Sequence, residues 1–103
     1  MVTLTNGVTE VFTSKVFDTI DFEWQEGATA TLTLYDESGT AITGASSLPM
    51  PQVTGTTGRD TLYRCEVPHT VTLPAGTEGE ALVTATNVVG KVGEKRIAVR
   101  YVD

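Results

Sequence analysis

His69 is the only histidine in the chain. A metal site built on a histidine pair therefore has no second ligand, and a Ser–His–Asp relay has one candidate base. It follows Pro68 in an expected loop, and no serine sits in a nucleophile motif, so it reads as an ordinary exposed side chain. Cys65 is the only cysteine. Reactive thiols need a basic or helix-terminal setting, whereas Cys65 alternates with Tyr63 and Val67 on an apolar face, where it serves as a small core residue. The carboxylates of Asp18, Asp21, Glu23 and Glu26 supply the oxygen that Ca²⁺ prefers. Asp21 and Glu23, however, point the same way from one strand, and no D-x-D-x-D-G loop gathers ligands around an ion. Gly55, Gly58, Gly90 and Gly93 are spaced for turns, not for cradling phosphate. No catalytic, cofactor-binding or metal-binding residues are expected, and the chain is read as not an enzyme.

The composition narrows the partners. At 103 residues with 40% hydrophobic and 19% charged side chains, the chain has the size and balance of a single domain over residues 1–103. A lone cysteine excludes an intramolecular disulfide, so packing alone holds the core. The net charge of −6 and a pI near 4.6 argue against nucleic acid and anionic membranes as partners, since both are bound through Lys and Arg. No apolar run approaches the ~20 residues of a membrane-spanning helix, and the N-terminus lacks the basic and apolar regions of a secretory signal.

The elements that must position these residues are strands. Thr and Val together supply nearly a third of the chain, and β-branched side chains suit a pleated surface better than a helix. In residues 20–25, Ile20, Phe22 and Trp24 alternate with polar residues. The clearest strand follows, with Ala28, Ala30, Leu32 and Leu34 on one side and Thr29, Thr31, Thr33 and Tyr35 on the other. Asp36 to Gly39, DESG, reads as a turn, with a short strand expected around residues 41–43. Tyr63, Cys65 and Val67 mark another strand ending at Pro68. Residues 73–79 read as a connection, and the next strand places Ala81, Val83 and Ala85 on one face. The last hairpin is expected to turn at residues 90–93, and its second strand sets Ile97, Val99 and Tyr101 on one side. About seven short strands separated by turn signals, with no helical pattern, predict an all-β sandwich. The predicted core is Ile20, Phe22, Trp24, Ala30, Leu32, Leu34, Tyr63, Cys65, Val67, Val83, Ala85, Ile97 and Val99.

Two regions stand out as candidate contact surfaces. Residues 44–58 are rich in Gly, Ser, Thr and Pro, and Pro49 and Pro51 deny donors to a central strand. Leu48, Met50 and Val53 are left there without an obvious strand to bury them. Such a loop orders on a neighbour or folds back over the end of the domain. The second region is defined by charge. Residues 1–37 hold Glu10, Asp18, Asp21, Glu23, Glu26, Asp36 and Glu37 against Lys15 alone. Lys91, Lys95, Arg96 and Arg100 gather near the C-terminus. These charges either solvate strand faces or join an acidic edge to a basic one across a subunit boundary. Leu48, Met50, Val53, Lys95, Arg96 and Arg100 are the candidate protein-interface residues.

Tyr63-Arg64-Cys65 is superficially similar to the Tyr-x-Cys of an immunoglobulin strand. The partner cysteine is missing and Trp24 precedes the strand that would have to carry it, so the chain is not an antibody-type domain. A closer resemblance is to bacterial and viral Ig-like domains, in which a D-x-x-G turn (Asp36 to Gly39) is followed by Tyr-x-x-x-Val-Pro (Tyr63 to Pro68). Leu-Pro-Ala-Gly (Leu73 to Gly76), a Val-rich strand and a Gly-turned terminal strand complete the pattern over residues 20–102. In particular the chain resembles the small, free-standing Ig-like proteins of tailed bacteriophages. That resemblance implies an immunoglobulin-like β-sandwich of about seven antiparallel strands and a structural role in capsid decoration, head–tail joining or the tail. It implies capsid, connector or tail subunits as partners, a homo-oligomer or multicopy assembly, and a place in the virion after synthesis in the host cytoplasm. An initial Met, the absence of a signal and an unpaired cysteine fit a whole gene product made in a reducing compartment. The alternative is a carbohydrate- or protein-binding Ig-like module cut from a bacterial surface adhesin. Tyr35 is the one aromatic that the alternation places clearly outward for sugar stacking.

Overall fold

A computed structural model describes residues 2–14, 17–18, 23–24, 27–57, 60–86, 90 and 92–103. The described residues form nine strands and no helix: β1 (Val2–Thr5), β2 (Glu10–Ser14), β3 (Phe17–Asp18), β4 (Glu23–Trp24), β5 (Thr29–Tyr35), β6 (Leu48–Pro49), β7 (Tyr63–Val67), β8 (Glu78–Thr86) and β9 (Val92–Val102). Five of them make one mixed sheet in the order β1-β9-β8-β5-β6, while β2 pairs with β7 and β3 with β4. The chain is all-β as the composition predicts, but not wholly antiparallel, because β1 runs parallel to β9.

The large sheet follows from three alternating segments brought into register. Ala30, Leu32 and Leu34 of β5 lie opposite Ala85, Val83 and Ala81 of β8, so the apolar faces of both strands coincide. All six side chains are buried. On β9 the same face carries Val99 and Tyr101, both buried, with Ile97 partly buried against them. Tyr63, Cys65 and Val67 of β7 are buried, as is Phe12, which pairs with Cys65 from β2. One continuous apolar cluster thus draws on the five-stranded sheet and on the β2–β7 pair.

Several boundaries differ from expectation. β8 begins at Glu78, inside the expected connection, and Gly93, expected in a turn, lies within β9 opposite Ala85. Two N-terminal strands, β1 and β2, supply the buried Leu4 and Phe12; their few, short alternations gave no comparable signal. Of the strand expected over residues 20–25, only Glu23–Trp24 is seen, pairing with Phe17–Asp18. Ile20 and Phe22 lie outside the described residues, and Trp24 is described through its backbone alone.

The DESG turn forms as its residues require. Asp36 Oδ1 accepts from the Ser38 amide at 3.0 Å, the Ser38 hydroxyl at 2.7 Å and the Thr40 amide at 3.0 Å, and Gly39 takes a φ of 82°, which glycine adopts without penalty. The strand expected over residues 41–43 reduces to an isolated bridge between Ala41 and Tyr35. The chain then turns at Gly44, φ 86°. Ile42 donates to the Leu34 carbonyl and Ala45 accepts from the Leu34 amide, each at 2.9 Å. This irregular path buries Ile42 and Ala45, which strand alternation alone would not pair.

The proline-rich segment that follows bridges the sheets. Met50 donates to Ala30 O at 3.0 Å beside β5, whereas Val53 donates to Leu62 O at 2.7 Å and Arg64 to Pro51 O at 3.0 Å beside β7. The segment folds back over the domain. Pro49 sits on β6, an edge strand two residues long, where a missing donor costs nothing.

Candidate interaction surface

His69 is exposed in a turn closed by Val71 N to Pro68 O at 3.0 Å. Cys65 is 1% exposed, and burial, reinforced by the nearby Glu66 carboxylate, pushes its thiol pKa up. Tyr101 is buried, and its hydroxyl has no hydrogen-bond partner among the described residues. Desolvation pushes that hydroxyl up to about 12.

An open groove of about 490 Å³ lies at one end of the large sheet, lined by Tyr35, Asp36, Glu37, Glu78, Glu80 and Arg96 with Gly39 and Gly79. The carboxylates of Asp36, Glu37 and Glu80 are individually engaged. Asp36 is held below its ordinary pKa by the Ser38 hydroxyl first and then by the Thr40 amide, partly opposed by desolvation. Glu37 Oε1 accepts from the Glu78 amide at 3.1 Å, and Glu80 Oε2 pairs with Arg96 Nη1 at 3.1 Å. Among the described residues no group of three His, Cys, Asp or Glu side chains converges on a point where a metal would sit. Tyr35, the expected outward aromatic, is half-buried at the groove's rim.

The candidate interface residues separate into two kinds. Met50 is 1% exposed and belongs to the core, which corrects its expected place on a partner-facing loop: its backbone bond to Ala30 turns the side chain under β5. Leu48 is half-buried against the same core, and Val53 is half-buried. Lys95, Arg96 and Arg100, by contrast, are exposed on β9. They do not share an edge. Arg100 has Glu78 of β8 on one side and Thr3 of β1 on the other, an interior position in the sheet. Lys95 and Arg96 lie where β9 runs beyond β1.

That difference comes from strand lengths. β8 accompanies β9 from Val92 to Arg100, but β1 reaches it only from Val99 to Val102. Among the described residues, nothing pairs with the outer side of residues 92–98. All of these are exposed except the half-buried Ile97. Gly93, Lys95 and Ile97 share the parity of the buried Val99, while Glu94, Arg96 and Ala98 face the other way with Arg100. Glu94 was missed as a site residue because it interrupts a basic run, and reading Gly93 as a turn hid where the strand begins.

Of the acids expected to oppose this strand, Glu10, Asp36 and Glu37 have described side chains. Glu10 Oε1 accepts from the Thr5 amide at 3.0 Å, tying β1 to β2, and Asp36 and Glu37 serve the turns just described. Asp21 and Glu26 lie outside the described residues, and only the backbone of Asp18 and Glu23 is described. No protein-family model matches the sequence, and no match was found among characterised proteins or among solved structures.

Proposed function

We propose that the chain is a non-enzymatic structural component of a tailed-phage virion, an Ig-like sandwich acting in capsid decoration or in head–tail or tail assembly through contacts with other virion subunits. Support for the sandwich comes from connectivity. The sheet built from the last two strands and β5, with the short β6 beside it, extends the way the larger sheet of a variable-type immunoglobulin domain does, and β2 with β7 supplies an opposing pair. The observation that carries an assembly role is the outer side of β9 over residues 92–98, exposed and charged and without a paired strand among the described residues. Natural sheets either block such edges or use them to join another chain.

Mass spectrometry of purified particles, released by induction or infection of the host carrying the gene, tests the reading. The protein is expected at multicopy stoichiometry beside capsid, connector or tail subunits. Its absence from intact particles and from head and tail intermediates, or its presence within a long exported surface protein, would overturn it.

A further inference from the structure

We propose that the protein pairs with a second copy of itself, edge to edge and antiparallel, through residues 92–98 of β9, about a two-fold axis at Lys95 that sets Glu94 of each copy opposite Arg96 of the other. The proposal rests on the assembly reading above only in needing a multicopy protein. It replaces the acidic N-terminal segment with β9 itself as the partner of the basic strand.

Backbone geometry supplies the first argument. In an antiparallel ladder a strand directs its amides and carbonyls alternately to its two sides. Along residues 92–98 one set meets β8, and the other has no strand partner among the described residues. Within the described residues the open stretch runs from Val92 to β1, whose Val2 lies opposite Val99. A second copy related by a two-fold axis perpendicular to the sheet fills this slot completely in one register, with Val92 opposite Ala98, Gly93 opposite Ile97, Glu94 opposite Arg96, and Lys95 on the axis.

Charge selects the same register. An axis of this kind pairs only residues on the same face, so the neighbouring choices centre on Glu94 or on Arg96. Either sets two like charges directly opposite, glutamate on glutamate or arginine on arginine, which destabilises a cross-strand pair. Centring on Lys95 creates two Glu–Arg pairs on one face, at the cost of two lysines meeting on the other. Arg96 already reaches Glu80 at 3.1 Å within its own chain. Its five donors allow Glu94 of the second copy to be bound as well. The charge pattern and the described extent of the open edge favour the same register.

Sedimentation equilibrium of the intact chain over micromolar to millimolar concentrations tests this together with three variants. Wild type is expected to form dimers that weaken as salt rises, and amide exchange should slow with concentration within residues 92–98. Glu94→Arg and Arg96→Glu should each weaken self-association more than about tenfold, because like-charge juxtaposition across an interface is costly. Mixed in equal amounts, they should form a heterodimer as tight as the wild-type dimer. Lys95→Gln, which removes the like charge on the axis, should tighten the dimer. Circular dichroism checks that each variant is folded, and the Lys95→Gln result stands even if a charge reversal is not. A wild type that stays monomeric at millimolar concentration overturns the proposal, as does a mixture no tighter than its parts or protection elsewhere. Recovery of such a monomer in purified particles would leave the virion role standing while removing this contact.

Discussion

Among the described residues, Tyr101 leaves a buried hydroxyl without a hydrogen-bond partner. The side chain is 2% exposed, so the hydroxyl's desolvation is uncompensated. Replacing it with phenylalanine removes the polar atom and keeps the ring, and Tyr101→Phe should raise stability by about 1 kcal/mol in urea unfolding. The same hydroxyl sets a limit in base. An unperturbed tyrosine titrates at 10.0 and this one at about 12. Above pH 10 the unfolded chain therefore releases a proton that the folded chain retains. The stabilisation linked to that difference is fully present below pH 10 and lost as pH rises towards 12. Thermal unfolding across this range should show a steeper fall for wild type than for Tyr101→Phe. Leu32 is the opposite case, an apolar side chain 0% exposed and opposite Val83 and Leu48 on its two neighbouring strands. Leu32→Ala should cost about 2–5 kcal/mol.

At the level of elements, two glycines in adjacent strands do different work. Gly79 on β8 lies so close to β5 that a Cβ built on it would overlap the Tyr35 carbonyl oxygen, a backbone atom with little room to yield. Gly93 on β9 has nothing within 4 Å of such a Cβ. Gly79→Ala is expected to cost about 1–3 kcal/mol, whereas Gly93→Ala should be within about 0.5 kcal/mol of wild type; chemical denaturation of the pair measures both. The sequence does not separate these glycines, because the close approach is created by a strand far away in the chain. What was legible was long alternation: β5, β7, β8 and the second half of β9 announce their buried faces through Leu32, Cys65, Val83 and Val99. What was not legible was burial without periodicity. Ile42, Ala45 and Met50 are covered by a chain that follows β5 through single hydrogen bonds to Leu34 and Ala30, and no two-residue pattern reports that.

Across the whole molecule, the charged strand was recognisable from its residues, but its open half was not, since that depends on where β1 ends relative to β9. The pairing of β1 with β9 has a further, mechanical consequence. The two strands are parallel, Val2 opposite Val99 and Thr5 opposite Val102. A pull applied at the N-terminal end of β1 and the C-terminal end of β9 therefore slides one strand along the other. Its hydrogen bonds are strained together in shear, where an antiparallel hairpin pulled from its open end would release them one after another. Asn6 reinforces the junction: its amide donates to Val102 O at 2.8 Å, and its side chain donates to Leu73 O at 2.6 Å and Asp103 Oδ1 at 2.9 Å. Forced unfolding reports the unfolding barrier directly. Single-molecule pulling through handles at Val2 and Val102 should give a higher rupture force than pulling through handles on Glu78 and Arg100, which face each other across the end of the β8–β9 hairpin. Asn6→Ala should lower the first force and leave the second unchanged. Tension applied between Val2 and Val102 loads the β1–β9 ladder along its length.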